Sequence, residues 1–402
     1  MTPLNVAICV DGLDDNWLGG VNYFRNLVAV FDAAGDPGLV LHLLTDDAVF
    51  LGSMKLSDRV RVHTLPMLRR KSAAWAARKA LQVASGRDVL LLAQLKRLQV
   101  RAVVFSFVLG AASAGIRCWP WIPDFQFKHH PELFPPAVVL GEQQRAEKLL
   151  RFGDGLVVSS QVAADDVVHF FGAQRSRVQV LHFAPKFDFV PLVSGALRDE
   201  VLARHGIDVP YVFLPNQYWR HKNHTLVLQA LVLMQQAGQA LPLVVSTGKT
   251  EDARNPAHFA QFEAELAQHD LHNNYRVLGV IDRQDMLVLL AHSVAVLNPS
   301  RFEGWSTSVE EAKALGKPLL VSDIAVHREQ TMGLDNAQQF AVDDPPALAG
   351  LLHALQQRVG ADAVSAHPPL PNSALYAAFS KQYIALLKRV AALPVTSTMS
   401  VT

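Results

Sequence analysis

The chain has 402 residues, 50% hydrophobic and 18% charged, with a net charge of +1. That length and composition imply two domains with sizeable cores and exclude a disordered chain, and the near-neutral balance argues against a nucleic-acid partner. The two cysteines, Cys9 and Cys118, lack the spacing of a zinc site or a disulfide framework, so a reducing cytoplasm is the expected setting, and the longest uncharged apolar run, 102–116, is too short to span a bilayer.

The predicted elements alternate. Asn5–Val10 reads as a first strand and not as a signal peptide, because no basic region precedes it. A loop, 11–20, ends in Gly19-Gly20, and Val21–Ala33 has helical periodicity. Strands follow at Leu39–Leu44, Val60–Thr64, Ala102–Phe107, Gly155–Ser159 and Arg177–Leu181, with a helix from Gln161. Residues 184–209 carry Pro185 and Pro191, are closed by Pro210, and read as an irregular linker. A second series begins with strand Tyr211–Pro215 and helix His224–Ala237, for which Asn223 is the expected cap. It continues with strand Leu243–Thr247, helix Asn255–Gln268, strand Tyr275–Leu278, helix Gln284–His292 and strand Val294–Leu297. Such alternation predicts parallel sheets covered on both faces, in two doubly wound domains with ligands at the carboxyl ends of the strands. The expected division is 1–185, a linker at 186–209, a second domain at 210–372, a last helix at 373–392 that returns to the first domain, and a tail at 393–402.

The richest segment is 299–311, Pro-Ser-Arg-Phe-Glu-Gly-Trp-Ser-Thr-Ser-Val-Glu-Glu. A strand leads into a glycine-containing turn and then a helix, so unpaired N–H groups and the positive helix end converge on one spot suited to phosphate. Thr307-x-x-Glu310 and Ser308-x-x-Glu311 both fit a capping box, and Gly316 with Pro318 marks the helix end. Glu303 and Glu311 then have neutral hydroxyls to hold: a sugar for Glu303, a ribose for Glu311. The alternative is that Glu310 and Glu311 merely complement the helix dipole, which leaves Glu303 and Gly304 unexplained.

Residues 214–224 follow a strand and precede a helix, which places Arg220 and Lys222 where cations can neutralise a diphosphate as it leaves. The alternative is a pair of solvated loop charges. His221 and His224 have no nearby acids to complete a metal site. Gly19-Gly20 is not a G-x-G-x-x-G fingerprint, so it is either turn chemistry or a close backbone approach to phosphate or acceptor. Residues 121–134 are rich in aromatic and polar groups. Asp124, His129 and His130 fit either a base for an acceptor hydroxyl or a loop with satisfied hydrogen bonds. Residues 69–101 hold nine Lys or Arg and a single acid, Asp88, interleaved with apolar residues. That pattern fits contact with an anionic membrane or a lipid-linked acceptor, or equally a solvated helix face.

At Glu303–Glu311 and Lys222 the sequence resembles retaining glycosyltransferases of family 4, which have the GT-B fold: two Rossmann-like domains facing each other across a cleft. The segment 299–312, with Gly316-Lys-Pro318 and Ser322-Asp-Ile after it, carries the resemblance most specifically. The resemblance implies that Glu303 contacts the donor sugar, Glu311 holds the ribose, and Gly304, Trp305, Ser306, Thr307 and Ser308 supply donors to the phosphates. It also implies that Lys222 pairs with the diphosphate, Gly279 to Ile281 border the nucleobase, and Gly19-Gly20 is the N-terminal glycine loop. Two positions depart from the pattern: Gln217 stands where the family has an arginine, and Pro123 precedes Asp124 where a histidine is usual. Asp124 and His129 are therefore candidates for the first-domain catalytic role.

The expected activity is transfer of a hexose, mannose or similar, from a nucleotide diphosphate sugar to a glycan or lipid-linked glycan, as in cell-surface polysaccharide synthesis. The expected setting is cytoplasmic, peripheral to the inner face of the cell membrane, with no metal or other cofactor. The alternatives are a nucleotide-sugar epimerase of the same fold, or a non-catalytic sugar-nucleotide-binding module.

Overall fold

The computed structural model describes residues 2–10, 18–106, 110, 115–186, 194–358 and 373–392. Residues 11–17 of the predicted loop, the end of the fourth predicted strand at Phe107, the linker residues 187–193 and the tail 393–402 lie outside them.

The chain divides into two compact units. The first comprises Met1–Phe125, Ala137–Lys186 and Tyr376–Thr402. Its main sheet has the parallel order β3-β2-β1-β4-β5, formed by Leu4–Val10, Leu39–Thr45, Val60–Thr64, Val100–Val104 and Arg117–Trp119 as β1 to β5. β2 is buried along its whole length, as expected of a central parallel strand covered on both faces. A smaller parallel sheet joins β6 (Trp121–Ile122), β7 (Leu156–Val158) and β8 (Val178–Val180). The first helix, Leu18–Ala34, begins earlier than predicted, so Gly19 and Gly20 lie in its first turn and not at the end of a loop. The last helix, Ser373–Ala392, packs Tyr383 edge-on against Phe105, sets Phe379 beside Phe183, and pairs Lys388 with Asp36.

The second unit comprises Gln126–Pro136 and Phe187–Leu375. Residues 126–136, predicted as part of the first domain, therefore cluster with the second. Its six-stranded parallel sheet runs β11-β10-β9-β12-β13-β14, with Tyr211–Leu214, Leu243–Ser246, Tyr275–Val277, Ala295–Asn298, Leu319–Ser322 and Ala337–Phe340 as β9 to β14. Side chains alternate across this sheet. Val212, Leu214, Val244 and Leu297 enter one core, while Tyr211, Phe213, Val245 and Val296 enter the other. The strand order reverses between β9 and β12, which creates a crevice at their carboxyl ends.

The stretch read as an irregular linker contains a helix, Gly195–Arg204, which buries Val201 and Leu202 and sends Arg204 and His205 to Asp285. Asn223 does not cap the helix His224–Gln236 with its side chain. It sits in the left-handed region and donates to the carbonyls of Pro299 and Val342 instead.

Tyr383 is fully buried, so Tyr383→Ala should cost about 3–5 kcal/mol through lost burial and the cavity left behind. The expected result is a lower guanidinium midpoint for the first unit. An unchanged midpoint would mean that the last helix is dispensable to that core.

Candidate functional site

The site grows from the β9/β12 crevice. β9 releases the loop 215–223 and β12 releases the loop 299–306, side by side because their strands pair. The main chain fastens the loops together: Arg301 N–H donates to the His221 carbonyl at 2.8 Å. That bond sets Lys222 against the following turn, where Lys222 Nζ lies 2.7 Å from Glu303 Oε1. The neighbouring β10 loop closes in as well. Gly248, at φ +132, brings its Cα so near the 216–217 backbone that an added Cβ would lie 2.7 Å from the Asn216 carbonyl oxygen. Its N–H donates to the Gly279 carbonyl at 2.8 Å.

Glu303 is buried, with 9% of its side chain exposed. Burial alone would raise its pKa, but the Lys222 ammonium, with smaller help from the Ser300 hydroxyl, holds it below the ordinary carboxylate value. The Ser300 hydroxyl lies 2.6 Å from Glu303 Oε1 and 2.7 Å from Asn298 Oδ1, and its single proton serves one of these acceptors at a time. Asn298 in turn donates to Ser306 Oγ at 2.8 Å and accepts from Asn216 at 3.1 Å. One buried network thus runs from Glu303 to the start of the next helix.

That helix, Thr307–Ala314, is capped by Ser306, whose hydroxyl accepts from Val309 N–H. Neither predicted capping box forms. Ser308 faces inward, its hydroxyl 3.1 Å from Ser306 Oγ, and Thr307 is exposed. Among the described residues the N–H groups of Thr307 and Ser308 have no protein acceptor, which leaves the donors an anion needs. Glu310 is held by Lys313 at 2.8 Å and Gln330 at 3.0 Å. Glu311 is also buried and pairs with Arg283, which is partly exposed.

His327 is fully buried. Its Nδ1 lies 2.9 Å from the Ser322 carbonyl, which only accepts, so Nδ1 carries the proton and Nε2 is a bare acceptor. Burial lowers its pKa and the nearby Glu303 opposes that shift. His224 is a structural residue: Tyr275 Oη lies 2.7 Å from Nδ1, the Gln217 carbonyl 3.1 Å from Nε2, and burial pushes its pKa down to about 3. Among the described residues no group of three or more His, Cys, Asp or Glu is arranged to hold a metal.

Within the second unit the fold thus brings together Lys222, Glu303 and the helix start with Gly304 to Ser308, and it buries Glu311 on that helix. Lys313 Nζ lies 5.8 Å above the Trp305 ring. His129 packs its ring 5.3 Å from that of Phe302, the residue before Glu303, and His130 meets the same ring edge-on. Arg220 is not drawn into the pair. It is exposed, and its field acts on Glu132 and His258. Gly279 is in the left-handed region and Ile281 is half-buried beyond it. Asp124, Gly19 and Gly20 belong to the first unit.

Sequence reasoning missed Asn298, Ser300, His327, Gln330 and Arg283. The one available signal was a polar residue, Asn298, closing an otherwise apolar strand.

The parallel order and the site at its reversal point define a GT-B type α/β fold, and the comparisons agree. Residues 199–355 match the family model of glycosyl transferases group 1. A curated relative, the D-inositol 3-phosphate glycosyltransferase of Xylanimonas cellulosilytica, is 26% identical over 228 residues, 55% of this chain and 52% of that protein. The aligned part therefore spans about half the length of that relative. Among solved structures, Anabaena HepE in complex with UDP and glucose has a TM-score of 0.67 at 13% identity, covering 96% of this chain and 100% of the other. The catalytic domain of starch synthase IV from Arabidopsis thaliana, bound to ADP and acarbose, has a TM-score of 0.62 at 11% identity, covering 97% and 100%.

Because the folded-state pKa of Glu303 is depressed, this carboxylate contributes stability at pH above the ordinary carboxylate range. That stability is lost as pH falls through the folded-state value. In Lys222→Met burial is left unopposed by its main counterion, so Glu303 should titrate above the ordinary range, and breaking the pair should cost about 3–5 kcal/mol. A ¹³C carboxyl titration of both proteins checks the change of direction. An unaltered Glu303 titration would mean that the pair is not what keeps it ionised.

Proposed function

We propose that the chain is a retaining glycosyltransferase that moves a hexose from a nucleotide diphosphate sugar to a glycan or lipid-linked glycan. The observation that carries the reading is the buried Lys222–Glu303 pair beside the open N-terminus of helix Thr307–Ala314. A diphosphate fits there, with Lys222 and the N–H groups of Thr307 and Ser308 meeting its charge and Gly304 and Trp305 lining the approach. Glu303 then accepts from a sugar hydroxyl, with the Ser300 proton turning to Asn298 to free Oε1. Glu311 accepts from the two ribose hydroxyls once Arg283 lets go of it, and Gly279 to Ile281 border the base. The match to glycosyl transferases group 1 and the nucleotides named with two fold neighbours support the donor class.

In the reaction the bond from the anomeric carbon to the diphosphate oxygen breaks while the acceptor oxygen bonds to that carbon on the same face. The acceptor proton passes to the departing diphosphate. Charge builds on the diphosphate in the transition state, where Lys222 and the fixed N–H dipoles act most strongly. Metal is not required in this scheme. Arg220 is proposed as a second cation for the diphosphate, and Asp124 or His129 as the group that orients the acceptor. Gly19 and Gly20 are proposed as the close-approach surface of the first unit.

A thermal-shift panel of UDP, GDP and ADP without metal tests the donor site. One nucleotide should stabilise the protein by about 2.7 kcal/mol at a hundredfold excess over its Kd, and the shift should vanish in Glu311→Ala. No shift with any of them would remove the basis for the reading. With the donor so identified, Lys222→Ala should lower kcat roughly 10²- to 10³-fold. Activity that disappears with EDTA and returns with Mn²⁺ would contradict the metal-free scheme.

A further inference from the structure

The helix Ala73–Ser85 in the first unit is built inside out. Its least exposed side chains are Arg78, which is 1% exposed, and the half-buried Trp75, Lys79 and Gln82. Its outward residues, at helical spacing, are Ala73, Ala77, Ala80, Leu81, Val83 and Ala84, all exposed, with Val83 at 85%. Two more apolar residues, Val89 and Leu90, are exposed at the start of the next helix, Val89–Arg97. An ordinary surface helix shows the reverse pattern.

The cause is Asp88. It is fully buried, caps the helix Val89–Arg97 through Leu91 N–H, and takes a two-pronged ion pair from Arg78 Nε and Nη2 at 2.9 and 2.6 Å. Arg78 also reaches the Met67 carbonyl. The buried pair fixes the rotation of the helix Ala73–Ser85, and with it the outward apolar face. It also consumes the one acid of residues 69–101, so the exposed charge of this stretch has a single sign. Arg69, Arg70 and Lys71 lie before the helix, Arg87 after it, and Lys96 and Arg97 at the end of the next. All are exposed, and among the described residues none pairs with an acid.

We propose that this face docks on an anionic lipid surface, with Leu81, Val83 and Leu90 entering the headgroup boundary and the surrounding cations meeting lipid phosphates. Charge decides between occupants. A second copy would bring an equally cationic rim against this one, whereas an anionic leaflet complements both the rim and the apolar centre. The inference is independent of the transferase reading, because it uses no residue of the nucleotide site.

Flotation of the full chain with phosphatidylcholine vesicles, with and without phosphatidylglycerol, tests it. Binding is expected only with phosphatidylglycerol, and it should fall as salt is raised. Arg69→Glu/Arg70→Glu/Lys71→Glu and, separately, Leu81→Asn/Val83→Asn should each weaken it about tenfold or more. Both variants change exposed side chains, and an unchanged melting temperature verifies that they fold. Absence of flotation, equal flotation with pure phosphatidylcholine, or binding retained in both variants would overturn the proposal. So would a concentration-dependent dimer by light scattering that Val83→Asn abolishes, which would assign the face to a second copy.

Discussion

The ion pair between Lys222 and Glu303 is the constraint around which the second unit's site is arranged. Removing a carboxylate and an ammonium from water costs several kcal/mol per ion unless each meets an opposite charge and further hydrogen bonds. The residues lie 81 positions apart in the chain, and only the pairing of β9 with β12 brings them together. The Arg301–His221 main-chain bond, the Asn223 bond to Pro299 and the Asn216 bond to Asn298 all hold the two loops at that pairing distance. The cation and the N–H donors of the proposed diphosphate site are thereby fixed before any ligand arrives.

Much of this was legible in the sequence, because the strands are buried on both faces and so read as apolar runs. The segment 299–311 also carried its own order of strand, turn and helix. What was not legible depended on partners distant in sequence. Ser306 takes the cap in place of Thr307 or Ser308, because Asn298 and Gln330 fix it there. Asn223 gives its side chain to Pro299 and Val342, so its local fitness as a cap goes unused. The edge strand Ala337–Phe340 exposes Gln338 and Gln339 and shows no apolar run. The helix Gly195–Arg204 hides among prolines and charges, and its placement rests on Val201 and Leu202 entering the core and on the pairing of Arg204 with Asp285.

The same dependence on remote partners separates charge count from charge placement. Nine bases and one acid in residues 69–101 could be counted directly, but not that Arg78 and Asp88 would neutralise each other inside the fold. A buried pair is weak evidence for stability and better evidence for specificity. Here one such pair fixes the rotation of a helix, and the other fixes the meeting of two loops.

The measurement that tests the central claim most directly is a crystal structure with a bound nucleoside diphosphate. The diphosphate should lie on Lys222 and the N–H groups of Thr307 and Ser308. The ribose hydroxyls should replace Arg283 on Glu311. A nucleotide bound elsewhere, or a ribose that leaves the Arg283–Glu311 pair intact, would contradict the account.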